Sequence, residues 1–196
     1  LIDHSQLGRE ASWAGGGILL PIYPWRQATS ISDLVLDSLQ RYPALTQELL
    51  EATGIDPEWQ PCGMLICKNP DYEAAVAWCQ NRAIDYQDAP EALLKPAQTQ
   101  IDRPLWLPGI AQARNPRLLR SLKTYVAQLG AKLLEHAEIT GVNLEQRRLT
   151  GISVGDRHFR PQQVIVCAGA WTANVLNSWL PQASIALNIQ PVRGQM

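Results

Sequence analysis

The sequence has few of the residues that build metal sites. It contains three histidines and four cysteines, Cys62, Cys67, Cys79 and Cys167, and no two cysteines form a Cys-x-x-Cys pair. Structural zinc sites use closely spaced cysteine and histidine ligands, so we expect no metal site. Cysteines spread this widely are typical of reduced thiols, which behave as small buried hydrophobes in cytoplasmic proteins. The pattern therefore predicts a cytoplasmic location.

An excess of charge of either sign is also missing. Seventeen Lys and Arg residues nearly balance eighteen Asp and Glu residues, and the formal net charge is −1. This leaves no electrostatic footprint for nucleic acid or an anionic membrane. Residues 161–192 carry no charge, but their prolines, asparagines and glutamines do not fit a spanning helix of about 20 mostly apolar residues. We expect no nucleic-acid partner and no membrane span.

What the sequence does contain is 46% hydrophobic residues in periodic patterns, which excludes a disordered chain. Apolar residues at intervals of three and four predict helices over residues 31–50, 70–81 and 115–129. Pro43 is expected to split or kink the first helix, because proline lacks a backbone donor and clashes with the preceding turn. Asn69 is the predicted N-cap of the second.

Short apolar runs predict strands. Residues 149–154 form one, followed by a hairpin turn at Gly155-Asp156. The continuous run at 164–168 predicts a strand buried on both faces in a parallel sheet. Residues 96–113 are rich in proline and are predicted to be irregular, with Trp106 in the middle. The mixture indicates an α/β fold with additional antiparallel strands.

Two segments have the residue types of a nucleotide site. The first is Asp3, at the end of an apolar strand, followed by Ser-Trp-Ala-Gly-Gly-Gly at 12–17. An acid at this place in a dinucleotide-binding unit accepts hydrogen bonds from ribose, and small residues let the backbone approach a phosphate or a ring. The alternatives are a solvated carboxylate and a flexible turn.

The second segment is Ala-Gly-Ala-Trp at 168–171, directly after the predicted buried strand. In open α/β sheets the ligand crevice lies beyond the carboxyl ends of the strands. Gly169 would let the backbone come close to a ligand there. The alternatives are a tight turn between strand and helix, and Trp171 as a core anchor.

Three segments together resemble the D-amino-acid oxidase family of FAD-dependent enzymes, and within it the glycine-oxidase branch. Residues 9–19 with Pro24-Trp25 are similar to the segment that contacts FAD. Residues 164–172 are similar to a later strand of the FAD domain, and residues 191–196 to the return into the substrate domain. The resemblance covers the whole chain. It implies an α/β fold with a partial FAD-binding Rossmann-type (glutathione-reductase-like) domain and part of an α+β substrate domain.

The resemblance also implies a domain order. Residues 1–35 belong to the FAD-binding domain, 36–114 to a substrate-domain insertion, 115–190 to the FAD-binding domain again, and 191–196 start the return. The family's Gly-x-Gly-x-x-Gly phosphate loop is not in the sequence. Nor is the C-terminal half, which in this family supplies a substrate-binding arginine and an active-site tyrosine. We therefore expect the chain to be the middle part of a longer protein.

FAD is the cofactor that the resemblance implies, and it gives ten residues a place beside it. Asp3 matches the acid that binds the ribose, and Ile139 matches a residue whose backbone meets the adenine. We name no catalytic residue, because the flavin carries the difficult chemistry. The other matched positions lie along the pyrophosphate, the ribityl chain and the isoalloxazine ring: Ala11, Ser12, Gly15, Gly16, Gly17, Ile18, Gly169 and Trp171.

The implied reaction is the oxidation of glycine, or of a small D-amino acid or secondary amine, to an imine. The imine then yields a 2-oxo acid and ammonia, oxygen becomes hydrogen peroxide, and the activity serves thiamine biosynthesis. The alternatives are a D-amino-acid dehydrogenase, a sarcosine-type oxidase, a tRNA-modifying oxidase, or a chain that is by itself an inactive fragment. The expected partner is a small-molecule amine or amino acid. A homo-oligomer is left open, since family members are often oligomeric.

Overall fold

The computed structural model describes residues 1–97, 99–146, 148–180 and 187–192. Their contacts divide the chain into two compact units. One consists of residues 8–131, and the other combines residues 1–7 with the chain from 132 onwards. Most of the predicted return segment, residues 193–196, lies outside the described ranges.

The described part of residues 8–131 combines helices with a small antiparallel sheet in the order β1-β3-β2. None of the helices in the described ranges has the length and apolar character that crossing a bilayer would take. The helices are α1 (Ala11–Ala14), α2 (Thr29–Thr53), α3 (Tyr72–Asn81), α4 (Glu91–Leu94) and α5 (Asn115–Gln128). The strands are β1 (Met64–Ile66), β2 (Gln87–Asp88) and β3 (Leu105–Leu107).

The hydrophobic core of this unit lies on one face of the sheet. Leu105 and Leu107 alternate with Trp106 along β3 and lie opposite Ile66 and Met64 of β1. Because side chains alternate across a strand, the four aliphatic residues share the buried face and Trp106 lies on the other. The strand at Trp106 corrects the prediction that 96–113 is irregular throughout. A Leu-Trp-Leu alternation between two prolines is only three residues long, which is too short to stand out as a period.

Helix α2 extends the predicted helix at both ends and is not divided at Pro43. Its apolar residues Val35 and Leu39 pack against the core before the proline, and Leu49 is fully buried after it. Packing on both sides of the proline therefore holds the helix together across the missing backbone hydrogen bond. Gly54 ends the helix in the left-handed conformation with φ 68°, and its N–H donates to the carbonyl of Leu50 at 2.8 Å.

The predicted start of α3 is wrong by two residues. The helix begins at Tyr72, and Asn69 does not cap it. Instead, the Asn69 N–H donates to the carbonyl of Asp102 at 2.9 Å, because Lys68 and Asp102 form a parallel bridge. The Asn69 side chain is fully buried, and neither of its polar atoms has a hydrogen-bond partner among the described residues.

The second unit is built on an antiparallel meander in the order β4-β5-β6. Its sheet shifts register between Asn143 and Leu144, and the predicted hairpin turn at Gly155-Asp156 joins β5 to β6. Ile2 adds a single parallel bridge to Leu134. The elements are β4 (Gly141–Glu145), β5 (Arg148–Val154), β6 (Arg157–Phe159), a 3₁₀ turn (Gly169–Trp171) and α6 (Thr172–Trp179).

The buried parallel strand predicted at 164–168 is absent from the structure. Ile165 is 85% exposed, and among the described residues no strand pairs with this segment. Val164 and Val166 line a groove of about 340 Å³ with Trp179 of α6. An apolar run of this kind forms a central strand only where a neighbouring strand satisfies its backbone and side chains cover both faces.

Candidate functional site

Residues 15–18, which the resemblance places along the isoalloxazine ring, form the outer segment of a three-segment ladder. The Leu19 N–H donates to the carbonyl of Ala111 at 3.1 Å, and the Ala113 N–H donates to the carbonyl of Gly17 at 2.9 Å. These two bonds place Ile18 directly opposite Gln112. On its other side, Gln112 exchanges both backbone hydrogen bonds with Gln60, at 2.8 and 2.9 Å. The ladder fixes the backbone of the glycine segment in this unit.

Close packing restricts two of the three consecutive glycines to different degrees. Gly17 is buried with φ 81°, and a Cβ built on it would overlap the carbonyl oxygen of Ala113. A Cβ on Gly15 would lie 2.7 Å from Nδ2 of Asn115, which donates to the Gly15 carbonyl at 2.9 Å. Asn115 is the first residue of α5, so this bond ties the glycine loop to that helix. Close packing therefore excludes a larger residue at Gly17, whereas at Gly15 a larger residue would require the Asn115 side chain to move.

Helix α1 presents the residues matched to the pyrophosphate and the ribityl chain. Ala11 and Ser12 are both exposed, and no residue of this short helix is buried. The helix packs against α5, and a Cβ built on Gly8, just before α1, would lie 3.2 Å from the side chain of Leu119. The Arg9 guanidinium lies 5.3 Å from the ring centre of Trp13, which is 43% exposed. The accessible residues of α1 thus include the small side chains of Ala11 and Ser12 and the ring of Trp13.

In the other unit, Asp3 is positioned by a parallel bridge. Its N–H donates to the carbonyl of Leu134 at 2.9 Å, and its own carbonyl accepts from the Ala137 N–H at 2.9 Å. The carboxylate oxygen Oδ1 accepts from the Ser5 N–H at 2.8 Å and from Ser5 Oγ at 3.2 Å. The side chain is 24% exposed. Ser5 thus fixes the carboxylate directly after the single bridge at Ile2, in a place where the sequence predicted the end of a strand.

Ile139 lies half-buried just before β4, beside an open groove of about 420 Å³. Its neighbours Glu138 and Thr140 line this groove together with the tip of the β5–β6 hairpin, but Ile139 itself does not. The structure therefore puts the predicted adenine contact next to a cavity of this unit and not inside it.

Gly169 and Trp171 form the 3₁₀ turn that leads into α6. Gly169 has φ 53°, and a Cβ built on it would meet nothing within 4 Å. The glycine is therefore required by its backbone conformation, while the space beside it stays open to a ligand. Trp171 is 56% exposed, so the alternative of a core anchor does not apply in this structure.

The described residues fit the backbone contacts that a dinucleotide cofactor needs. Asp3 supplies an oriented carboxylate, and Gly169 supplies accessible backbone with open space beside it. The exposed Ala11 and Ser12 add small side chains over which a phosphate chain can pass. Asp3, Ile139, Gly169 and Trp171 belong to one compact unit, and Ala11, Ser12 and 15–18 belong to the other. Gln112, which the ladder pairs with Ile18, and Gln60, which it pairs with Gln112, were not predicted from the sequence.

Comparisons with known proteins find relatives over almost the whole length of the chain. The chain is 36% identical to a glycine oxidase of Pseudomonas putida, over 99% of the chain and 53% of that protein. It is 24% identical to the bifunctional protein ThiO/ThiG of Synechocystis sp., over 95% of the chain and 27% of that protein. The chain thus spans about half the length of the first relative and about a quarter of the second.

A solved structure shows the same fold. The crystal structure of glycine oxidase from Geobacillus kaustophilus superposes with a TM-score of 0.78 at 24% identity, over 92% of this chain and 50% of that one. The predicted fold class is therefore confirmed. The family model described as FAD dependent oxidoreductase matches residues 1–196. A match over the whole sequence confirms the predicted family: this chain belongs to the FAD dependent oxidoreductases, and FAD is the cofactor that the membership implies.

Proposed function

We propose that the full-length protein is an FAD-dependent oxidase of glycine, or of a small D-amino acid or secondary amine. Its products are an imine, which water converts to a 2-oxo acid and ammonia (a primary amine where the substrate is a secondary amine), and hydrogen peroxide. The observation that carries this proposal is the 36% identity to the Pseudomonas putida glycine oxidase over 99% of the chain. The similarity to a protein named ThiO/ThiG supports a role in thiamine biosynthesis.

The proposal gives each predicted site residue a task. Asp3 would accept hydrogen bonds from the ribose hydroxyls, since a carboxylate fixed by Ser5 suits a diol. Ile139 would offer its backbone to the adenine, and the backbone of Gly169 and the side chain of Trp171 would form a second contact with the cofactor. The remaining residues would lie along the phosphates, the ribityl chain and the ring: Ala11, Ser12, Gly15, Gly16, Gly17 and Ile18.

The chemistry that bound FAD would supply is that of a hydride acceptor for the substrate carbon next to nitrogen and of an electron donor to oxygen. The chain's own residues have a different task, which is to hold the backbone beside the ring in one conformation. The ladder does this for Gly17 through the bond from the Ala113 N–H. Preorganised backbone of this kind does not have to reorganise during the reaction.

The domain order and the location complete the proposal. Residues 1–35 and 115–190 are assigned to the FAD-binding domain, residues 36–114 to the substrate domain, and residues 191–196 to the return between them. We assign the protein to the cytoplasm, where the free thiols Cys62 and Cys167 would stay reduced. Gel filtration of the full-length protein tests whether it is a homo-oligomer.

The test uses the protein at its full natural length. The purified protein should be yellow and show the visible bands of an oxidised flavin. Glycine, D-alanine or sarcosine added without oxygen should bleach these bands, and in air should give hydrogen peroxide. Retained flavin that none of the three bleaches would contradict the proposed substrates. Bleaching without peroxide in air, together with reduction of an added dye, would indicate a dehydrogenase and overturn the oxidase.

A further inference from the structure

A row of three exposed side chains crosses the ladder beside the glycine segment. Ile18, Gln112 and Gln60 are paired directly across three neighbouring backbone segments. The bonds between positions 19 and 111 and between 113 and 17 flank the Ile18–Gln112 pair, which makes it a non-hydrogen-bonded pair with closely spaced side chains. Gln112 and Gln60 exchange both of their backbone bonds. Gln112 is therefore the central residue of the row.

Directly opposed residues in an antiparallel ladder point to the same face, so these three side chains lie together. The burial pattern agrees with this placement. Ile18 is 50% exposed, and both glutamines are exposed, whereas Ala111 and Ala113 on either side of Gln112 are buried. The ladder therefore has an inner face, which packs into the unit, and an outer face, which carries the row.

We infer that Gln112, supported by Gln60, is a substrate-binding residue of the oxidase, and that it contacts the polar head group of a small amino acid. The inference rests on the proposed function, which puts the backbone at Ile18 beside the isoalloxazine ring. If that backbone borders the ring, the side chain in contact range of Ile18 across the ladder borders the space where the substrate reacts. Gln112 occupies that position.

The chemistry of the row suits a small zwitterion. A carboxamide both donates and accepts hydrogen bonds, so Gln112 can serve a carboxylate or an amine. Neither glutamine side chain has a hydrogen-bond partner within the described ranges, so both are free to bind a ligand. The row spans two strand spacings, roughly 10 Å, which is the scale of a small amino acid and its contacts.

The experiment measures binding and reaction separately in the full-length protein loaded with FAD. Gln112→Met keeps the length of the side chain and removes its hydrogen bonds. Gln128→Met makes the same change at an exposed position near the end of α5 and serves as the matched control. Anaerobic flavin reduction at rising glycine concentration gives a half-saturating concentration and a limiting rate. The affinity for acetate, measured by the shift of the flavin absorbance, reports binding without turnover.

For Gln112→Met we expect the half-saturating glycine concentration to rise about tenfold, the scale of one hydrogen bond to a charged group. The limiting rate and the flavin spectrum should change little, and Gln128→Met should behave like the unaltered protein. Gln112→Asn should recover part of the lost affinity for glycine.

An unchanged half-saturating concentration in Gln112→Met with its flavin intact would overturn the inference, as would an equal rise in Gln128→Met. If Gln112→Met does not fold, Gln60→Met supplies the same test with a smaller expected rise. A protein in which no substrate reduces the flavin would instead contradict the proposed function.

Discussion

The indole ring of Trp106 lies directly over the α-carbon of Gly63. A Cβ built on Gly63 would overlap the six-membered ring of Trp106, and the residue has φ 73°. The Gly63 N–H donates to the carbonyl of Ile110 at 2.7 Å, so the backbone cannot move away from the ring without losing that bond. On this face of the sheet, the ring of Trp106 therefore occupies the space that a side chain at position 63 would need.

Gly63→Ala should lower the free energy of unfolding by about 2–4 kcal/mol, because it combines a positive φ with a steric overlap. The urea midpoint of the full-length protein measures this change. Gly130→Ala is the control, since Gly130 also has a positive φ of 87° but open space around its Cβ position. If both variants lost the same free energy of unfolding, the overlap between the new Cβ and the Trp106 ring would have no effect on stability, which would contradict the prediction.

Gly17→Ala should disrupt the ladder, because its Cβ would overlap the carbonyl oxygen of Ala113 at a φ of 81°. We expect the variant to retain clearly less FAD after gel filtration than the unaltered protein. Gly15→Ala is the comparison, since its Cβ meets only the end of the Asn115 side chain at 2.7 Å and that side chain can move aside. Full FAD retention in Gly17→Ala would contradict a role of the ladder in cofactor binding.

Asp3→Asn should weaken FAD binding roughly tenfold to a hundredfold, because a hydrogen bond to a charged group contributes about 1.5–3 kcal/mol. The amide keeps an oxygen for the Ser5 N–H, which in the structure donates to Asp3 at 2.8 Å, so the local fold should survive. Quenching of FAD fluorescence by the full-length apoprotein gives the dissociation constant. Asp156→Asn, an exposed change at the hairpin turn, should leave it unaltered. The same affinity in both variants would contradict the ribose role of Asp3.

Burial raises the pKa of the Cys79 thiol to about 11. A thiol in the unfolded chain has a pKa of about 8.5, so the neutral Cys79 favours the folded state fully below that pH. This contribution is lost as the pH rises towards 11. At pH 8 a thiol reagent should therefore label the exposed Cys62 quickly and Cys79 only after unfolding in urea. Peptide mapping after labelling checks this, and fast labelling of native Cys79 would be the contrary result.

Local patterns predicted the parts of the fold that depend on local physics. Helix α5 shows this, because Asn115-Pro116 starts it where expected and an apolar stripe carries it to Gln128. Gly54 as the end of α2 and the turn at Gly155-Asp156 are likewise set by short-range conformational preferences. Each of these features needs only a few consecutive residues to be specified.

Features that depend on distant partners were not predictable in the same way. Asn69 has the residue type of an N-cap, but the bridge between Lys68 and Asp102 holds its backbone N–H against the Asp102 carbonyl, before the helix begins at Tyr72. The candidate site also combines residues that a local pattern predicts with a pairing between distant residues. The acid at position 3 and the glycines at 15–17 were visible in the sequence, whereas the pairing of Ile18 with Gln112 joins residues 94 positions apart by their numbering. No local pattern encodes such a pairing.

The apolar segment at 164–168 has a consequence for handling the protein. Its sequence Val-Ile-Val-Cys-Ala combines high β propensity with no charge and no proline, and Ile165 is 85% exposed. Wherever nothing covers this segment, two molecules can pair through it edge to edge. Aggregation of the protein should then increase with its concentration and decrease when chaperones are present. Ile165→Lys should reduce the formation of inclusion bodies, because a charge interrupts the aggregation-prone segment.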